Sequence, residues 1–299
     1  MLRVACLGNL TLDHLLFVDT LPQLDDVALV RLRDRAVGGR GAIVARLLGV
    51  LGVPTCLVTV VGNSLEQWAY DQLSNSQVDT SAIAVAQVNE TTSEVVIVIG
   101  EKEQNSVSYF IQKPIPFEPT DDQQKCVRAA DILYFTTHNY SFNLRFLTPD
   151  FCKDKKVIHN FSAHMTKTPE YVERLLLTSH ILITNSDDLP ALLNFTGGRD
   201  AGSLMSRWGT LAGVVVTRSR KDAVVWETGR ITEVPSQTIN VAVPVGLGDS
   251  FAAGVVLALA RRESLVKGTN YGSLLAAQSA RYGYYGAVRK NLNQIVART

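Results

Sequence analysis

Short apolar runs at 4–7, 55–61, 132–135, 156–159, 181–184 and 214–217 recur along the chain, with helical or polar stretches between them. Strands separated by helices pair side by side in parallel. A sheet built this way carries helices on both faces, which is why each run is apolar throughout and does not alternate. One early excursion breaks the pattern. Segments 14–37 and 91–112 are β-rich but only partly apolar, with Asp25, Asp26, Arg31, Arg33, Asp34 and Arg35 in the first and a polar turn at 101–105 in the second. Exposed strands of a small accessory sheet have this composition. At 299 residues and 46% hydrophobic content the chain can bury a large core as a single domain, 1–299, and no repeat, linker or low-complexity segment divides it.

Open α/β sheets bind ligands beyond the carboxyl ends of their strands, so polar residues at those ends carry the chemistry. The most informative stretch is Gly246-Leu247-Gly248-Asp249, which leads into the apolar run 250–260. Two glycines let the backbone turn tightly into a helix, and the unpaired N–H groups of its first turn then converge on one point that favours an anion. Asp249 would stand beside that anion, its carboxylate placed to take a proton from a hydroxyl attacking a phosphoryl group. The same four residues also describe a flexible turn capped by an acid. Near the start, Asp13 follows the first strand and could accept hydrogen bonds from ligand hydroxyls or simply form a turn. Gly38-Gly39-Arg40-Gly41-Ala42 opens a helix at 43–51. Three glycines in four positions there imply a backbone pressed close to something, or a plain tight turn. Asn185-Ser186-Asp187-Asp188 ends another strand and reads by itself as an N-cap cluster for a helix at 189–193. After 214–217 come Thr217, Arg218 and Arg220; either arginine could meet a phosphate or lie on a solvated surface.

These stretches, in this order and spacing, resemble the two glycine signatures of the PfkB (ribokinase-like) family of carbohydrate and nucleoside kinases, and the resemblance runs from Val4 to Ala287. Gly38, Gly39, Gly41 and Ala42 match the first signature, with Arg40 at its lysine and Ile43 at an Asn that usually binds a substrate hydroxyl. Gly246, Gly248 and Asp249 match the second, with Val243 and Pro244 at its Asp-Thr pair. Gly8 and Asp13 match a further Gly-x-x-x-x-Asp element. The resemblance implies a three-layer α/β/α sandwich with a mostly parallel central sheet and a small β lid formed by the accessory strands. It implies an ATP-dependent phosphotransferase acting on a hydroxymethyl group of a sugar, with a nucleoside as the alternative acceptor. Asp249 would be the base, with backbone N–H groups of Gly246, Leu247 and Gly248 around the transferred group. Asp13, Gly38, Gly39, Arg40 and Gly41 would hold the acceptor. Asn185, Thr217, Arg218, Gly246 and Gly248 would face ATP, and Asp188 would act on Mg2+ through water. Ile43, Asn63, Trp68, Asp188, Ser219, Val243 and Pro244 depart from the pattern. A family member that binds a ligand for regulation with little turnover therefore stands as the rival from another class.

Composition narrows the partners. A formal net charge of +1 gives no reason to expect nucleic acid or an acidic membrane surface, and no segment is long enough to span a bilayer. Asn9, Thr11 and Asp13 interrupt the first apolar stretch, against a signal peptide. Cys6, Cys56, Cys126 and Cys152 are scattered, which predicts reduced, buried thiols and a cytoplasmic protein. No two of the five histidines, His138 and His159 among them, have metal-ligand spacing. Phe17, Tyr109, Phe110, Phe135 and Tyr140 could stack a base or fill the core, and apolar residues on the lid could pair two copies of the chain into a homodimer.

Overall fold

In the computed structural model the described residues are 1–63, 65–86, 91–111, 118–137, 140–163, 168–219, 221–237, 241–287 and 292. His138 and Arg220, which the sequence singles out, lie outside them.

The strands in chain order are β1 (Val4–Leu7), β2 (Thr11–Val18), β3 (Val30–Gly38), β4 (Thr55–Val61), β5 (Val78–Asp79), β6 (Ile83–Val85), β7 (Glu94–Gly100), β8 (Asn105–Ile111), β9 (Ile132–Thr136), β10 (Lys156–Asn160), β11 (Ile181–Asn185), β12 (Gly213–Arg218), β13 (Lys221–Glu227) and β14 (Arg230–Val234). The main sheet runs β14-β13-β12-β11-β10-β9-β1-β4-β5, with β6 also along β4. From β12 to β5 every pairing is parallel, and only β13 and β14 run antiparallel. Successive residues of β1 and β9 enter opposite cores. Val4, Cys6, Ile132 and Tyr134 pack on one face, and Ala5, Leu7, Leu133 and Phe135 on the other. Burial on both faces is the physical cause of the unbroken apolar runs.

The β-rich excursion forms a separate four-stranded sheet in the order β3-β2-β7-β8. Asp13 of β2 lies opposite Ala36 of β3 and Val95 of β7. This lid is fastened to the main body where the Arg35 guanidinium lies 4.9 Å over the Trp68 ring and pairs with Glu66 at 3.3 Å.

One face of the main sheet carries the helices Arg40–Val50, Leu247–Ala260 and Leu265–Ala287. The last of these is broken near its end by the non-helical Gly283 (φ 70°, ψ 152°). It packs backbone to backbone on its neighbour: a Cβ at Gly254 would collide with the main chain at Gly272, and one at Gly272 would lie 2.6 Å from the Phe251 carbonyl oxygen. The opposite face is covered by helices that include Asp121–Ala129, which opens with a Thr120–Gln123 capping box. The Gln123 side chain then donates to the Thr59 carbonyl of β4 at 2.8 Å.

That seating corrects the expectation of four reduced thiols. Cys56 on β4 and Cys126 on the helix above it form a disulfide across 70 residues, a pairing invisible in their scattered spacing; Cys6 and Cys152 are free and buried. Among the described residues no helix is long and apolar enough to cross a membrane.

Candidate active site

The start of helix Leu247–Ala260 has the conformation its glycines allow. Gly246 is left-handed (φ 71°) and caps the helix without a side chain, and open space lies where a Gly248 Cβ would stand. Ser250 donates to the Gly246 carbonyl at 2.8 Å and meets Ser279 of the last helix at 2.7 Å, so the turn is anchored from below. N–H groups of the first helical turn have no partner inside the helix, and they point outward from this cap.

Asp249, in that first turn, is 8% exposed. Burial raises its pKa; the Arg40 guanidinium, whose Nε donates to Oδ1 at 3.1 Å, works in the opposite direction. Arg40 is the first residue of helix Arg40–Val50, and its backbone N–H donates to the Asn9 side chain at 3.0 Å. The glycines around it admit the chain's own backbone. Gly39 has φ 88° and a Cβ there would lie 2.5 Å from the Asn9 carbonyl oxygen, while one at Gly41 would lie 2.8 Å from the Gly8 Cα. The turn after β1 and the start of this helix are thus pressed together, and that contact holds Arg40 against Asp249.

Asp13 lies beneath Gly38, where any side chain would overlap its carboxylate. It is 4% exposed and accepts hydrogen bonds from the Thr11 hydroxyl at 2.5 Å and from the Tyr284 phenol. Burial pushes its pKa up to about 6 against the lowering effect of both hydroxyls. Tyr284 is absent from the sequence reading; the only mark it leaves there is Gly283, a glycine inside an otherwise helical run.

Asn185 and Asp188 close on each other. The Asn185 Oδ1 accepts from the N–H groups of Asp187 (2.8 Å) and Asp188 (2.7 Å), and its Nδ2 donates to Asp188 Oδ2 at 2.8 Å. Asp188 Oδ1 accepts from the Ala163 N–H at 3.0 Å. The N-cap role that the cluster predicts is not met, because Asp188 stands at the N-cap of helix Leu189–Thr196 without a side-chain cap and Asn185 instead closes the turn before it. Asp188, 4% exposed, has both oxygens engaged yet lies near enough to act electrostatically on Arg40. Direct ligation of a metal by Asp188 is not set up. Contact through water fits a cation that keeps its hydration shell. Among the described residues no group of three or more His, Cys, Asp or Glu is placed to hold a metal.

Behind the cap lies a cavity of about 540 Å³, lined by Thr217, Pro244, Leu247 and Gly248, and by Ala276 and Ala280 of the last helix. That volume is in the usual range for a small-molecule site. Arg218 also lines it, but its guanidinium is spoken for, with Nε donating to the Asp222 carbonyl (2.6 Å) and a terminal nitrogen to Glu233 (2.8 Å). Thr217 donates to the Thr184 carbonyl at 3.4 Å. Of the aromatics, Phe17 and Phe135 are core residues, Tyr140 packs beside Tyr171, and Tyr109 and Phe110 are exposed on the lid. His159 is a core histidine stacked on Phe135, its pKa lowered to about 3 by burial.

Leu247 and Gly248 face the cavity while Asp249, one residue on, faces Arg40. A helix start that separates a nucleotide-sized cavity from a buried carboxylate, beneath a β lid, is the layout of a ribokinase-like phosphotransferase. Comparison with known proteins agrees. The pfkB family of carbohydrate kinases matches residues 1–289, so the chain belongs to that family and is an ATP-dependent kinase of the sugar and nucleoside class. Among curated relatives, the nucleoside kinase of Methanothermobacter thermautotrophicus is 25% identical over 90% of this chain and 86% of its own length, and that of Methanocaldococcus jannaschii is 23% identical over 89% and 86%. The crystal structure of the M. jannaschii nucleoside kinase superposes with a TM-score of 0.81 at 19% identity, covering 100% of this chain and 99% of its own. Ribokinase from Thermotoga maritima gives 0.78 at 16%, with 100% and 99% covered.

Proposed function

We propose that the chain transfers the terminal phosphoryl group of ATP to the hydroxymethyl group of a nucleoside, with Asp249 as general base. The observation that carries this is the position of Asp249, buried in the first turn of a helix whose open cap faces the cavity, with its carboxylate turned to Arg40. Asp249 takes the proton of the attacking hydroxyl, exchanging its contact with Arg40 for one with the acceptor. Backbone N–H groups at Gly246, Leu247 and Gly248 meet the charge on the transferred group, and donors so placed contribute about 2.7–4 kcal/mol each at a transition state. Asp13, Gly38, Gly39, Arg40 and Gly41 hold the acceptor under the lid, which excludes water. Thr217 and Arg218 border the nucleotide. Magnesium, when bound with the nucleotide, supplies positive charge to its phosphate oxygens, and Asn185 and Asp188 would reach it through water.

A nucleoside is preferred to a free sugar because the curated relatives that span the chain carry that activity. A sugar, which the sequence alone favours, is the second reading, supported by the similarity in fold to ribokinase. Exposed Val107, Tyr109, Phe110 and Ile111 on the edge strand β8 support pairing of two copies through the lid. The test is ATP consumption with magnesium across a panel of nucleosides and sugars, with Asp249→Asn alongside. Turnover with a nucleoside that the variant loses supports the assignment. Turnover confined to sugars moves the acceptor to the second reading, and near-normal turnover in the variant removes Asp249 as base.

A further inference from the structure

Two carboxylates face the acceptor side of the site, and a side chain of the protein already holds each one. Arg40 holds Asp249. Tyr284, brought from 271 residues away, holds Asp13. The second contact is built into the backbone. Helix Leu265–Ala287 loses its helical geometry at Gly283 alone, where φ is 70° and where a Cβ would lie within 2.7 Å of the Tyr285 ring. This break turns Tyr284 out of the helical path, so that its ring lies along the cap of the phosphoryl site. A Cβ at Gly246 would stand 2.9 Å from Tyr284 Cδ1. The ring therefore spans from the cap at Gly246 to the carboxylate at Asp13, and its hydroxyl ends where a ligand hydroxyl would end. Tyr284 is 1% exposed. Of the two Asp13 oxygens, Oδ1 takes the Thr11 hydroxyl and Oδ2 the phenol. Position 43, in the first turn of the helix that carries Arg40, is an isoleucine and offers no hydrogen bond.

Resting on the reading that Asp13 faces the acceptor, we propose that Tyr284 is a specificity-determining residue whose phenol takes the place of one acceptor hydroxyl at Asp13. The kinase thereby selects acceptors that lack one of the two ring hydroxyls of a ribofuranose. A fully hydroxylated acceptor has to displace the phenol from a buried contact with a charged group, and loses affinity by doing so. A deoxy acceptor leaves the phenol where it is. Discrimination of this kind arises because a polar group left without its partner inside a closed site is costly.

The experiment compares kcat and KM for adenosine, 2′-deoxyadenosine, 3′-deoxyadenosine, ribose and 2-deoxyribose in the wild type, Tyr284→Phe and Asp13→Asn, with thermal melting of each variant to check that it folds. The proposal expects the wild type to favour a deoxy acceptor in kcat/KM. It expects Tyr284→Phe to shift that preference toward the hydroxylated partner by about tenfold, chiefly through KM, the scale on which one hydrogen bond to a charged group acts. An unchanged ratio in Tyr284→Phe, with acceptor KM raised in Asp13→Asn, overturns the proposal and leaves the acceptor role of Asp13 standing; Tyr284 is then a packing residue. An acceptor KM unmoved by Asp13→Asn overturns that role and the proposal together, as does the absence of turnover and of thermal stabilisation with all five compounds.

Discussion

Replacing Asp13 with Asn tests the energetics of the acceptor side without any knowledge of the substrate. Asp13 is a buried acid whose pKa rises from 3.8 to about 6 on folding. A pKa raised by folding means that the native state binds the proton more tightly than the unfolded chain. Stability from this group is then fully present below pH 3.8 and declines as the pH climbs through 6. A displacement of that size corresponds to about 3 kcal/mol, at 1.36 kcal/mol per pK unit. Burial is nearly complete, so solvent screening removes little of it. Asparagine keeps both hydrogen bonds, since the hydroxyls of Thr11 and Tyr284 can each donate or accept, and it carries no charge. Urea unfolding of the wild type and Asp13→Asn at half-unit steps from pH 4 to pH 8 provides the assay. The two proteins should be close in stability at pH 4, and the variant should lead by about 3 kcal/mol at pH 7. Parallel curves for the two proteins across this range would refute the reasoning, because they would show that ionised Asp13 carries no penalty in the native state. On the proposed role of Asp13, the same variant should raise the acceptor KM, a trade of stability against function common at binding sites.

Other perturbations have outcomes that can be stated now. Asp249→Asn should abolish turnover while ATP still stabilises the variant in a thermal-shift assay, because Leu247 and Gly248 line the cavity proposed for the nucleotide and Asp249 does not. Gly254→Ala drives a methyl group into the backbone at Gly272 and should lower the urea midpoint by the equivalent of about 1–3 kcal/mol, the usual cost of overpacking. Adding reductant, or replacing Cys126 with Ser, should lower stability by about 4 kcal/mol if the 70-residue loop closed by Cys56 and Cys126 acts through chain entropy; equal unfolding midpoints with and without reductant would argue against it. Sedimentation at micromolar concentration should show a dimer that Tyr109→Lys disperses, and a monomeric wild type would remove the lid as an association surface.

The sheet was legible because both of its faces are buried, so strands such as 4–7 and 55–61 announce themselves as unbroken apolar runs. The lid was legible for the opposite reason, since β3 mixes charges into a β-rich segment whose residues 30–35 stay exposed, and only its end at Ala36 and Val37 joins the core. Glycines pointed to the two signature turns, although at Gly39 and Gly41 what they admit is the chain's own turn at Gly8 and Asn9. Pairings between distant segments were not legible. Nothing local to Arg40 reveals Asp249, nothing near Cys56 reveals Cys126, and Tyr284 looks like one of several tyrosines in a helix. Each partner is chosen by tertiary packing, which a linear pattern does not encode. The start of helix 265–287 was not legible for a related reason: residues 265–271 are polar enough to pass for a connection, and this helix packs along helix 247–260.

The contact between Asp13 and Tyr284 also bears on when the enzyme first becomes competent. One partner is translated 271 residues before the other. At a synthesis rate of roughly 5–20 residues per second, the acid waits between about a quarter of a minute and a minute for its phenol. During that interval the sheet around β1 can form, yet Asp13 faces an unfinished site. The emerging chain would therefore display an uncapped carboxylate beside its first glycine turn, and the contact proposed to shape the acceptor side cannot form until helix Leu265–Ala287 docks.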